Sequence, residues 1–131
     1  MKSNNNSDYG TIVNCLDGTV QLPAIDFAKK LWKVNRVDVI TEAAPEKILS
    51  ETKDRETIER ICKNIEASIC DQHTKRLAIV SHSNCDINNV SDTNKKDMLS
   101  KAIGYLKARF IDIEIVGIWF DGNIKATKIE I

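Results

Sequence analysis

Leu77-Ala78-Ile79-Val80-Ser81-His82-Ser83-Asn84-Cys85 opens with an apolar run of branched side chains that turns polar at once. The run is too short for a core helix, so it predicts a buried parallel strand ending at Ser81. His82 and Cys85 then fall just past its carboxyl end. In an open α/β sheet that end carries the ligand crevice, because the loops leaving it separate where the strand order reverses. Imidazole and thiolate are good ligands for zinc, and two intervening residues let both turn toward one point. This loop supplies half of a metal site.

Outside this stretch, composition narrows the function. The chain has 131 residues, one domain's worth, with 19 basic and 19 acidic side chains. Such a length buries about two thirds of the surface of the unfolded chain, so no disulfide staple is required. The balanced charge gives no steering toward nucleic acid or a membrane surface, and a small neutral or weakly charged substrate fits better. No apolar run approaches the roughly 20 residues of a membrane span, and Met1 to Asp8 lacks the apolar core of a signal peptide. A cytoplasmic location is expected, with the four cysteines reduced and available as ligands or core residues.

Residues 1–9 read as a flexible, Asn-rich tail. Thr11-Ile12-Val13-Asn14-Cys15 is short and β-branched, predicting a first strand that delivers Cys15 to its carboxyl end. Pro23 suits the first turn of a helix carrying Ala24, Phe27, Ala28, Leu31 and Trp32 on one face. Val37 to Thr41 is a second strand, and Pro45 starts a short helical turn. A long helix follows, with Ile58, Ile61, Cys62, Ile65 and Ile69 in one stripe, which makes Cys62 a core residue. Cys70 and His73 have ligand-like spacing but no strand end or turn beside them, and read as an ordinary helix end.

After the central loop, Ser91 or Asp92 caps a helix that buries Met98, Leu99, Ala102, Ile103 and Leu106. Ile113 to Phe120 is a fourth strand. Asp121-Gly122 predicts a two-residue turn, and Ile124 to Ile131 alternates apolar with polar as a closing antiparallel strand. The expected fold is a three-layer α/β domain with a mostly parallel sheet. Its strand order is 2-1-3-4 plus an antiparallel edge, with helices on both faces. In that order the first and third strands are neighbours, so Cys15 faces His82 and Cys85 across one crevice. Three protein ligands leave the fourth position of a tetrahedral zinc open.

Cys15-Leu16-Asp17-Gly18-Thr19 followed by His82-Ser83-Asn84-Cys85 resembles the zinc site of the β-class carbonic anhydrases. Their motifs are Cys-X-Asp-X-Arg and His-X-X-Cys. Asp17-Gly18 and Gln21-Leu22-Pro23 make the likeness closer to the compact carbonic anhydrase-like members, over Thr11 to about Ile131. The resemblance implies Cys15, His82 and Cys85 as zinc ligands, carbon dioxide and bicarbonate as substrate and product, and Asp17 as the group that orients the attacking hydroxide. Zinc brings the pKa of a bound water from about 15.7 toward 7, which makes hydroxide available at neutral pH. The family's dimers make a homodimer an expectation. The apolar terminal hairpin offers an edge for it, although Lys125, Lys128 and Glu130 equally serve to protect that edge.

The family arginine that clamps the aspartate is here Thr19. A charge-assisted clamp is roughly twice as strong as a neutral one, so Asp17 is expected to be loose and able to swing onto the metal. Arg36, Arg55, Arg60, Arg76 and Arg109 read as surface charges on helices or their ends, none placed beside Asp17. Asp86 replaces the small residues usual after the second motif and reads as a solvated loop carboxylate. Three readings stand at this point: a zinc hydratase of carbon dioxide, a zinc protein without efficient hydration, and a metal-free domain in which Cys15 and Cys85 form a thiol pair.

Overall fold

The computed structural model describes residues 8–131. Its elements are β1 (Tyr9–Cys15), α1 (Gln21–Trp32), β2 (Arg36–Glu42), α2 (Pro45–Glu51), α3 (Arg55–Gln72), β3 (Arg76–His82), α4 (Asp92–Arg109), β4 (Glu114–Phe120) and β5 (Ala126–Ile129). A short helical turn over Gly18–Val20 links β1 to α1. The sheet order is β2-β1-β3-β4-β5, parallel throughout except for the antiparallel β4–β5 pair. This is the α/β arrangement that the strand and helix periodicities predict. No helix among the described residues is long and apolar enough to cross a membrane.

Alternation along the strands divides the core into two layers. Val13, Leu77, Ile79 and Ile115 face one side, where they meet Leu49 of α2, the α3 stripe through Cys62, and Leu99, Ile103 and Leu106 of α4. Ile12, Ala78, Val80 and Ile118 face the other side, under Ala24, Ala28 and Trp32 of α1. These three α1 residues are four apart, so a single face of the helix lies on the sheet. Trp32 lies so close to β1 that a Cβ on Gly10 would stand 2.3 Å from its ring. Helix ends follow their cap chemistry: Asp54 and Ser91 accept from the N–H groups of Thr57 and Asn94 at the starts of α3 and α4.

Several boundaries differ from the sequence expectation, among them those of the closing strand, which spans Ala126–Ile129 rather than Ile124 to Ile131. β1 begins at Tyr9 because this residue pairs with Arg36, whose guanidinium lies 5.2 Å from the centre of its ring; residue 9 therefore belongs to the sheet, and residues 1–7 of the expected tail lie outside the described residues. β3 runs on to His82. The β4–β5 connection is longer than a two-residue turn, since Phe120 pairs with Ala126 and leaves 121–125 as the loop. Asp121 Oδ1 accepts from the N–H groups of Asn123 and Lys125 at 2.8 and 3.0 Å. The loop thus closes on a carboxylate, and Ile124 rather than Gly122 takes positive φ.

Candidate metal centre

Cys15 and His82 are the last residues of β1 and β3, adjacent parallel strands that register Thr11 with Leu77 and Val13 with Ile79. The two side chains therefore leave the sheet at the same edge. Cys15 is pinned at both backbone ends: its N–H donates to Asn14 Oδ1 at 2.9 Å, and its carbonyl accepts from the Gln21 side-chain amide. Beyond His82, Asn84 adopts φ 57, a left-handed conformation that Asn tolerates. This bend brings Cys85 back beside His82. The ligand atoms of Cys15, His82 and Cys85 all lie within 4.8 Å of one another, and all three residues are buried.

The protonation chemistry of His82 follows from its neighbours. Nδ1 is 2.8 Å from the Ser83 carbonyl, which can only accept, so Nδ1 carries the proton and the lone pair sits on Nε2. Nε2 is buried and has no hydrogen-bond partner. Such an orphaned acceptor costs about 1–3 kcal/mol. Burial pushes the Cys85 thiol pKa up, whereas the N–H groups of Asn88 and Ile87, directed at its sulfur, pull it down. A divalent cation suits this donor set, since it would take the Nε2 lone pair and displace the thiol protons. A disulfide between Cys15 and Cys85 would leave Nε2 unanswered, and both thiols are free.

Asp17 stands at the mouth of this group. Its Oδ1 accepts from the Thr19 N–H at 2.9 Å, and its Oδ2 lies 3.9 Å from His82 Nε2. The Thr19 N–H and then its hydroxyl hold the carboxyl below its ordinary pKa, with a smaller contribution from His82. The carboxylate expected to be loose is therefore held at one oxygen. Aspartate followed two residues later by threonine is the sequence signal of such a turn.

Among the described residues no arginine is hydrogen-bonded to Asp17. Arg60 forks onto Glu42 at 2.9 and 3.1 Å, and Arg109 onto Glu59 at 2.8 and 2.9 Å. Arg36 and Arg76 begin strands rather than lying on helices. Cys62 is in the core, and Cys70 is exposed while His73 closes α3 in a left-handed conformation. Asp86 is exposed, as a solvated loop carboxylate should be.

Sequence reasoning missed a buried polar group behind the site. Glu46, Asn88 and Lys95 are each 2% exposed, and Asn88 Nδ2 donates to Glu46 Oε2 at 3.2 Å. The bond ties the segment after Cys85 to α2. Burial pushes the Glu46 pKa up, against weaker downward pulls from Asn88, His82 and Lys95. Charged identity sends such residues to the surface in a sequence reading. The available hint was Glu46 directly after a helix-opening proline, in a first turn that favours a carboxylate.

In front of the site is a cavity of about 60 Å³ lined by Asp17, Thr19, His82, Phe120 and Ile124, among others. It is far smaller than the roughly 300–1,000 Å³ of pockets for drug-sized ligands. No curated protein matches the chain. One family model does, over residues 5–130, and its description reads "Putative carbonic anhydrase".

Proposed function

Since the chain belongs to this carbonic anhydrase-like family, we propose that it is a zinc-dependent hydratase interconverting carbon dioxide and bicarbonate. Cys15, His82 and Cys85 would hold the metal, and Asp17 would orient the nucleophile. The observation that carries the reading is the buried, unpartnered Nε2 of His82 converging with two thiols. When bound, zinc supplies a nucleophile at neutral pH by lowering the pKa of water toward about 7. Three protein donors suit a catalytic site, which keeps a fourth position open.

The protein's own groups supply the rest. The Ser83 carbonyl fixes the His82 tautomer, which keeps Nε2 a donor to metal. Asp17, its pKa lowered, is an anion at neutral pH and can only accept hydrogen bonds. With Oδ1 occupied by Thr19, the other oxygen is left to accept from the attacking water, which sets that water's orientation. Phe120 and Val20 give the cavity an apolar side suited to a nonpolar, linear substrate.

A second reading rests on Thr19: a neutral clamp supports a metal-binding protein with weak hydration. Metal analysis together with carbon dioxide hydration by the intact protein and by Asp17→Asn separates the two. About one zinc per chain, with activity that Asp17→Asn largely removes, supports the hydratase. Zinc with background activity supports the second reading.

A further inference from the structure

Six residues other than glycine take positive φ among the described residues: Lys33, Ala44, Thr52, His73, Asn84 and Ile124. Lys33, Thr52 and His73 do so at helix C-termini, and Ala44 at the start of α2. Ile124 has no helix end to explain it, and a β-branched side chain crowds the backbone in this conformation. Its φ is 60.

The loop is built to hold that conformation. The Ile124 N–H donates to the Asp121 carbonyl at 3.0 Å, and the Asp121 N–H to the Lys125 carbonyl at 3.0 Å. The Asp121 carboxylate holds the N–H groups of Asn123 and Lys125 from inside the turn. Gly122 rests against the metal loop, since a Cβ there would stand 3.6 Å from Asn84 Nδ2. So fastened, Ile124 lines the 60 Å³ cavity together with Asp17 and His82 while remaining 40% exposed at the rim. A glycine would meet the backbone demand without strain, so what isoleucine adds is a wall.

We propose that Ile124 is a specificity-determining residue, held in a left-handed conformation so that its side chain narrows the entrance to molecules of three or four heavy atoms. Rings are excluded. This inference rests on the metal reading above, and it deepens that reading by assigning the size limit to one side chain.

The test loads the protein with cobalt(II) in place of zinc and follows its visible spectrum. Thiocyanate, which is linear, and imidazole, a five-membered ring, are titrated into the unmutated protein, Ile124→Gly and Ile124→Ala. The ratio of imidazole to thiocyanate affinity should rise about tenfold or more in Ile124→Gly, in line with the discrimination that a small apolar wall provides. Ile124→Ala, which keeps a β-carbon at the turn, should fall between. A cobalt spectrum with thiolate charge transfer but a ratio changed by less than about threefold in both variants overturns this inference alone. Absence of that spectrum in the unmutated protein overturns the metal reading and this inference with it.

Discussion

The backbone N–H of Thr19 donates to Oδ1 of Asp17 at 2.9 Å, so the carboxylate is gripped from the position where the motif Cys-X-Asp-X-Arg, which the chain resembles, has arginine. Thr19→Val keeps this N–H and removes the hydroxyl that helps to hold the Asp17 pKa down. Loss of one polar group facing the carboxylate is worth about 1 kcal/mol, which corresponds to an activity loss of roughly fivefold. Stopped-flow hydration of carbon dioxide measures it. Thr19→Arg should change the rate by less than about threefold, because Oδ1 already has a donor.

Metal binding should require all three donors. Zinc content is expected to fall from about one per chain to a small fraction in Cys15→Ser and in Cys85→Ser, as measured by elemental analysis after dialysis. Chelating the metal from the unmutated protein should lower its Tm, and adding zinc back should restore it, because an ion that binds only the folded state stabilises that state. A Tm indifferent to both treatments would refute the assignment.

Glu46 makes stability depend on pH in a direction that can be worked out. Burial holds its folded pKa above the ordinary 4.5. Below about pH 4.5 the carboxyl is protonated in both states and no penalty arises; as pH rises through the folded pKa, the native state has to bury a charge and stability falls. Glu46→Gln remains neutral at every pH. In metal-loaded protein, the urea midpoint of the unmutated chain should therefore drop relative to Glu46→Gln between about pH 4 and about pH 8. A constant difference across that range would contradict the buried charge.

Gly10→Ala should be costly. The added Cβ would stand 2.3 Å from the Trp32 ring, and an indole wedged between helix and strand cannot retreat as a flexible chain end would. Overpacking of this kind costs about 1–3 kcal/mol, measurable as a lowered urea midpoint with an unchanged slope.

The parts of the chain that the sequence disclosed are those where local pattern and tertiary packing agree. β3 and α3 are such cases: the branched run at Leu77–Val80 and the stripe through Ile58, Ile61 and Ile65 are buried as their periods require. The convergence of Cys15, His82 and Cys85 is legible because the first two end neighbouring strands and the third follows three residues on. The hairpin departs from its sequence pattern where a side chain competes with the backbone. Asp121-Gly122 reads as a tight turn through its glycine, but the aspartate carboxylate captures two N–H groups and sends the chain around a wider loop. Tyr9 reads as tail because its stacking partner, Arg36, is distant in sequence. Glu46 and Lys95 are illegible in the sequence for a similar reason, since only the fold shows that a charged residue is enclosed.

The pairing of Thr11 with Leu77 and of Val13 with Ile79 has a use of its own. A slip of one residue between β1 and β3 would displace one strand end by about 3.3 Å and turn its side chains to the opposite face. The sulfur of Cys15 would then miss the imidazole. On the proposed function, zinc uptake would therefore read out assembly: in a refolded preparation, the fraction of chains that load metal would count those whose central strands closed in the correct alignment, without any turnover being measured.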